Sequence, residues 1–161
     1  MKQLLTNIIE RLSEIPVLKY IDENWGQAHT SQPNPVKYPM ALIDVESVEW
    51  GNLGNHVQLG KARIVVSVSA LRLSNTSKGA PKEQSDLSFD FYNLLYDIHC
   101  ALHAWVPAGN AGPMTRIDTR RIRSANGIKT TELTFLTTVQ EALPDKYEKI
   151  KLEMKIKTEF E

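Results

Sequence analysis

His99 and His103 stand four residues apart in the run His99-Cys100-Ala101-Leu102-His103, a spacing that puts both imidazoles on one face of a helix. Two such imidazoles can chelate zinc. A catalytic zinc site needs a third protein ligand, however, and a structural site a fourth. The run has no glutamate of the HExxH kind. Tyr92, Tyr96, His99 and His103 instead form a polar-aromatic stripe, which reads as a packed or intersubunit face. A small metal-dependent enzyme using His99 and His103 is the remote alternative.

The other reactive residue types fare no better as chemistry. Asp44 and Glu46 share a strand face, with Glu49 nearby, as paired carboxylates for acid–base work or magnesium would. No Gly-rich phosphate loop and no acidic partner at a diagnostic spacing accompanies them, so they are expected to be solvated. No GxSxG elbow is present to hold a nucleophilic serine. Cys100, the single cysteine, fits a reducing compartment, and its place among helical apolar residues predicts a buried, unreactive thiol. Arg116, Arg120, Arg121 and Arg123 cluster on one strand. Period two puts Arg121 and Arg123 on a face with Ile117 and Thr119, and Arg116 and Arg120 on the other with Ile122. They form either a solvated edge partnered by Asp118 and Glu132 or a basic rim facing DNA or an acidic neighbour. The expectation is a chain with no catalytic residue, no metal and no cofactor.

Length and composition bound the alternatives. With 161 residues, 42% of them hydrophobic and 24% charged, the chain can bury a core without metal or disulfide staples. Its 19 acidic and 19 basic residues cancel, which argues against a dedicated duplex-DNA binder, whose affinity comes from neutralising phosphates. The opening MKQLLTNIIERLSEIP is interrupted by Glu10, Arg11 and Glu14 and does not read as a signal peptide. No apolar run approaches a bilayer's thickness, so no membrane partner and synthesis in the cytoplasm are expected.

The elements that must position these residues follow from periodicity. Leu4, Leu5, Ile8, Ile9, Leu12 and Ile15 predict an amphipathic helix over 2–15, stopped by Pro16. A short strand is expected at Val17–Ile21, then a loop from Asn24 to Lys37. Pro39–Trp50 reads as a strand whose apolar face changes partway, as a bulge would cause. Gly51–Asn55 reads as the turn into a second strand, His56–Leu73. After the polar loop Ser74–Lys82, the stripe Leu87, Phe91, Leu94, Leu95, Ile98, Leu102 and Trp105 predicts a helix over 84–105. Met114–Arg123 and Ile128–Glu141 are strands joined by a turn containing Asn126-Gly127. The fold class is α+β: an antiparallel or mixed sheet of about four to five strands, with two helices on one face, in the order α-β-β-β-α-β-β.

A single domain is expected over 1–143, with an extended arm at 144–161. In the arm Ile150, Leu152, Met154 and Ile156 alternate with Lys149, Lys151, Glu153, Lys155 and Lys157, the period of a strand with one wet face. Such an arm either pairs with another chain or folds back as an edge strand.

With its N-terminal helix, the block PMALIDVESVEW from Pro39 to Trp50, the glycine-rich turn, VQLGKAR from Val57 to Arg63, the long helix and the closing hairpin, the stretch from 1 to about 142 resembles the tail-terminator (tail completion) proteins of tailed bacteriophages and prophages. The resemblance implies a virion structural protein made in the bacterial cytoplasm. It implies a homo-oligomeric, often hexameric, ring that caps the tail tube and joins it to the head, meeting tail-tube and head-completion proteins. DNA would pass through without sequence-specific binding. Residues expected at oligomer or partner contacts are Trp50, Gln58, Tyr92, Tyr96, Ile150, Leu152, Met154 and Ile156; Arg120, Arg121 and Arg123 are candidates for the channel lining. A non-ring neck or baseplate adaptor is the alternative of another kind.

Overall fold

The computed structural model describes residues 1–27, 36–71, 78–79, 81–123 and 127–142, with backbone alone for 84–88. The arm expected at 144–161, with Ile150, Leu152, Met154 and Ile156, lies outside the described residues.

Helix α1, Lys2–Ser13, buries Leu4, Ile8 and Leu12 on one side, the i, i+4, i+8 stripe that its sequence carries. It ends two residues before the expected Ile15. Turns then carry the chain past Pro16, with the Leu18 N–H donating to the Ile15 carbonyl. The first strand therefore starts later than Val17: β1 is Tyr20–Glu23, and it pairs in parallel with Met40–Ile43. The Lys19 N–H donating to the Pro39 carbonyl sets this start.

Strands β2 (Met40–Gly54) and β3 (Val57–Leu71) form a long antiparallel hairpin. The ladder slips between Val45 and Ser47, so the expected change of apolar face is a bulge at Glu46. The turn is tighter than Gly51–Asn55. Pairing continues through Gly54, and the chain reverses at Asn55 and His56, with φ of 49° and 60°. Positive φ at both central residues makes a two-residue type I′ turn, whose twist matches the flanking strands.

Helix α2, Lys82–Leu102, stops short of Trp105 for a tertiary reason. The Ala104 N–H donates to the Met114 carbonyl, and the Met114 N–H to the Trp105 carbonyl, which pulls the chain out of the helix toward β4 (Thr115–Ile122). β5, Ile128–Ala142, closes the sheet.

The five strands lie in the order β1-β2-β3-β5-β4; β1–β2 is parallel, and the rest are antiparallel. The sheet is thus mixed, within an α+β fold. Both helices pack on one face: Leu4, Ile8, Leu12, Phe91, Leu94, Ile98 and Leu102 share a buried cluster with Ile43, Ile64, Val66, Leu133 and Phe135. Burying these side chains is the main stabilising term. Beyond α2, the Asn7 side-chain N–H donates to the Pro107 carbonyl, and Arg11 Nε donates to the Ala101 carbonyl at 3.2 Å, docking α1 on α2. No helix among the described residues is long and apolar enough to cross a membrane.

Candidate assembly surfaces

Trp50 sits on the half of β2 that β1 does not reach. Its register partner is Gly60 on β3, and the absence of a side chain there has a function. A Cβ at Gly60 would lie 2.7 Å from Val48 Cγ1 and 2.9 Å from Trp50 Cζ3, so the indole lies across the glycine. Trp50 is nonetheless 40% exposed. Gln58 is exposed near the hairpin tip, between Asn52 on β2 and Glu141 on β5. On the opposite face of the hairpin Arg63 donates through Nε to Glu46, tying down the bulge.

The second surface lies on α2. Phe89, Tyr92 and Tyr96 are exposed along it. Lys129 Nζ at the start of β5 stands 4.0 Å from the Tyr92 ring centroid and 4.7 Å from that of Phe91, a cation over two aromatic faces. Sequence reading missed this contact, because nothing local announces that β5 will begin beneath α2. Gln58 pairs with Glu141, whereas Lys129 pairs with Ala70. Twelve residues of strand separate the two levels, about 40 Å. Trp50 and Gln58 therefore do not join Tyr92 and Tyr96; they mark opposite ends of the sheet.

Cys100 is exposed, contrary to the expected burial. It lies two residues from both Ile98 and Leu102, and at 100° per residue that places it on the side of α2 away from the core stripe. The signal was present in the spacing.

The arginines also regroup. β4 slips against β5 between Arg116 and Asp118. Arg116 consequently pairs with Phe135, and Arg121 with Thr131, on the face that carries the helices. Arg120 pairs with Glu132 on the other face. The expected sharing of a face by Arg116 and Arg120 is thus undone by the bulge. Arg120 donates from Nε and Nη2 to one Glu132 oxygen, at 3.1 and 2.7 Å; that carboxylate raises the guanidinium's already high pKa. Arg121 and Arg123 are exposed, with Arg123 just beyond the strand's end.

The histidine rings lie 4.8 Å apart. Nδ1 of His103 accepts the Arg116 backbone N–H at 3.3 Å, which fixes that nitrogen as an acceptor. Nδ1 of His99 is buried without a partner. Burial, then the charges of Arg116 and His103, lower the His99 pKa below its ordinary value. Among the described residues no group of three His, Cys, Asp or Glu side chains converges as a metal site. Asp44, Glu46 and Glu49 are spread along an open strand edge. What these elements offer is recognition: exposed aromatic rings, exposed guanidinium groups and strand edges that no described residue pairs.

No protein-family model matches the chain, nor does any curated protein. A solved structure does share its fold: a chain in the virion of a native gene transfer agent particle, with a TM-score of 0.60 at 12% identity. The alignment covers 86% of this chain and 95% of that one. The likeness is one of fold.

Proposed function

We propose that this chain is a structural protein of a phage-type virion, and specifically a tail terminator: a homo-oligomeric ring that caps the tail tube and joins it to the head. The observation that carries the reading is the fold shared with a virion chain over 95% of that chain's length. It agrees in element order with the family that the sequence resembles. The two exposed surfaces, Trp50 with Gln58 and Tyr92 with Tyr96, are assigned to contacts with neighbouring copies and with tail-tube or head-completion proteins. The outer edge of β4, with Arg120 on one face, Arg121 on the other and Arg123 beyond its end, is assigned to the channel side, where DNA passes without sequence-specific grip.

The test is a light-scattering mass of the purified protein, with negative-stain images before and after addition of tail tubes. A ring, free or formed on tube ends, is the expected result. A protein that stays monomeric and leaves tube ends bare sinks the proposal.

A further inference from the structure

β1 covers only Met40–Ile43 of its fifteen-residue neighbour β2. The Asn24 N–H reaches the Ile43 carbonyl at 2.7 Å, and beyond it no described residue pairs with the outer edge of β2 from Asp44 to Gly54. A long unpaired edge of this kind is a template for another strand. Its two faces differ. Val45, Val48 and Trp50 point to the helix side, opposite Ile64, Ala62 and Gly60. Asp44 and Glu49 point to the other side, opposite Val65 and Lys61, and Glu46 reaches Arg63 there. The edge is apolar on one face and anionic on the other.

We infer that the segment Lys149–Lys157 of the same chain adds to this edge as an antiparallel strand. Its sequence, KIKLEMKIK, is the complement: Ile150, Leu152, Met154 and Ile156 on one face, four lysines and Glu153 on the other. With Ile150 set beside Trp50 and Leu152 beside Val48, Lys151 faces Glu49, Lys155 faces Asp44, and Glu153 falls at the bulge, where Arg63 holds Glu46. The free edge of β4 is a poor alternative, because Arg116, Arg120 and Arg121 outnumber Asp118 along it.

Reach also fits. β5 ends at Ala142, opposite Val57, whose β2 partner is Gly54, so the segment departs from the end where the free edge finishes. Crossing from β5 over β3 and β2 to a new edge position takes three strand spacings, about 14 Å. Residues 143–148 span about 20 Å when extended. Reaching Gly51, three residues further along β2, stays within that length, and running on toward Asp44 makes the added strand antiparallel to β2. A tether this short gives an effective concentration of about millimolar, which favours the chain's own segment over that of a second copy. This inference stands whether or not the protein forms a ring.

Hydrogen exchange on the full chain tests it, comparing wild type with Leu152→Lys/Met154→Lys. Alternate amides between Asp44 and Gly54 should exchange about ten-fold faster or more in the variant, while Ile64 and Val66 in β3 keep their protection. Wild-type protection of the edge should not change on dilution. Lys151→Glu/Lys155→Glu keeps the apolar face and serves if the first variant loses β3 protection; it should also speed exchange at the edge, most at low salt. Equal exchange in wild type and variants overturns the inference. So does protection that falls with dilution, which would assign the edge to a second copy.

Discussion

Arg120 on β4 and Glu132 on β5 are direct register partners, joined by two hydrogen bonds to a single carboxylate oxygen. Arg121, one residue on, points to the opposite face and has no ion pair with a described residue. One guanidinium charge is therefore matched within the fold, while no described residue matches the next.

The two arginines should separate in a salt titration of duplex-DNA binding. Removing one phosphate contact lowers the salt slope by about one. Arg121→Ala is expected to give that change, and Arg120→Ala a smaller one, because Glu132 already holds its charge. Equal slopes for the two variants would remove Arg121 from the channel lining.

Gly60→Ala tests the hairpin surface. The new methyl would collide with Val48 and Trp50, and overpacking of this kind costs about 1–3 kcal/mol. The expected result is a lower urea midpoint, with a shift in tryptophan emission as the indole is pushed off the strand. An unchanged midpoint and spectrum would show that the ring does not rest on the glycine in solution.

Acid should weaken the junction of α2 with β4. The His99 pKa is lowered in the folded state, first by burial and then by Arg116 and His103. The unfolded chain therefore binds more protons just below the ordinary histidine value, and stability rises with pH through that window. The contribution is complete above about pH 6.5 and is lost as pH falls toward the folded value. Urea midpoints from pH 7 to pH 5 should fall less steeply in His99→Gln than in wild type; parallel curves would contradict the assignment.

Local pattern carried much of this fold. The drift of apolar residues from Ile43 and Val45 to Val48 announced the β2 bulge, because side-chain alternation records register directly. The stripes through Ile8 and Ile98 placed both helices. Pattern failed where a distant partner decides. β1 begins at Tyr20 because Pro39 lies beside Lys19, and α2 releases Trp105 because Met114 pairs with it. Trp50, Tyr92 and Tyr96 could be singled out residue by residue, and the structure leaves them exposed. Their separation to opposite ends of the sheet was not, since it depends on a ladder running through three strands.

Those three strands differ from the rest in length. β2, β3 and β5 have 15 residues each, against 4 in β1 and 8 in β4. Fifteen residues extend about 50 Å, yet the deeply buried side chains lie mainly toward Met40, Val68 and Leu133, and Gly51–Gly54 is exposed throughout. Mechanically the hairpin end is a cantilever clamped at its root. Hydrogen bonds across the strands make it stiff within the plane of the sheet, while out-of-plane bending meets only the side chains that lie over it. Bending of the Asn55–His56 tip out of the sheet plane would press on Val48 and Trp50 where they cross Gly60.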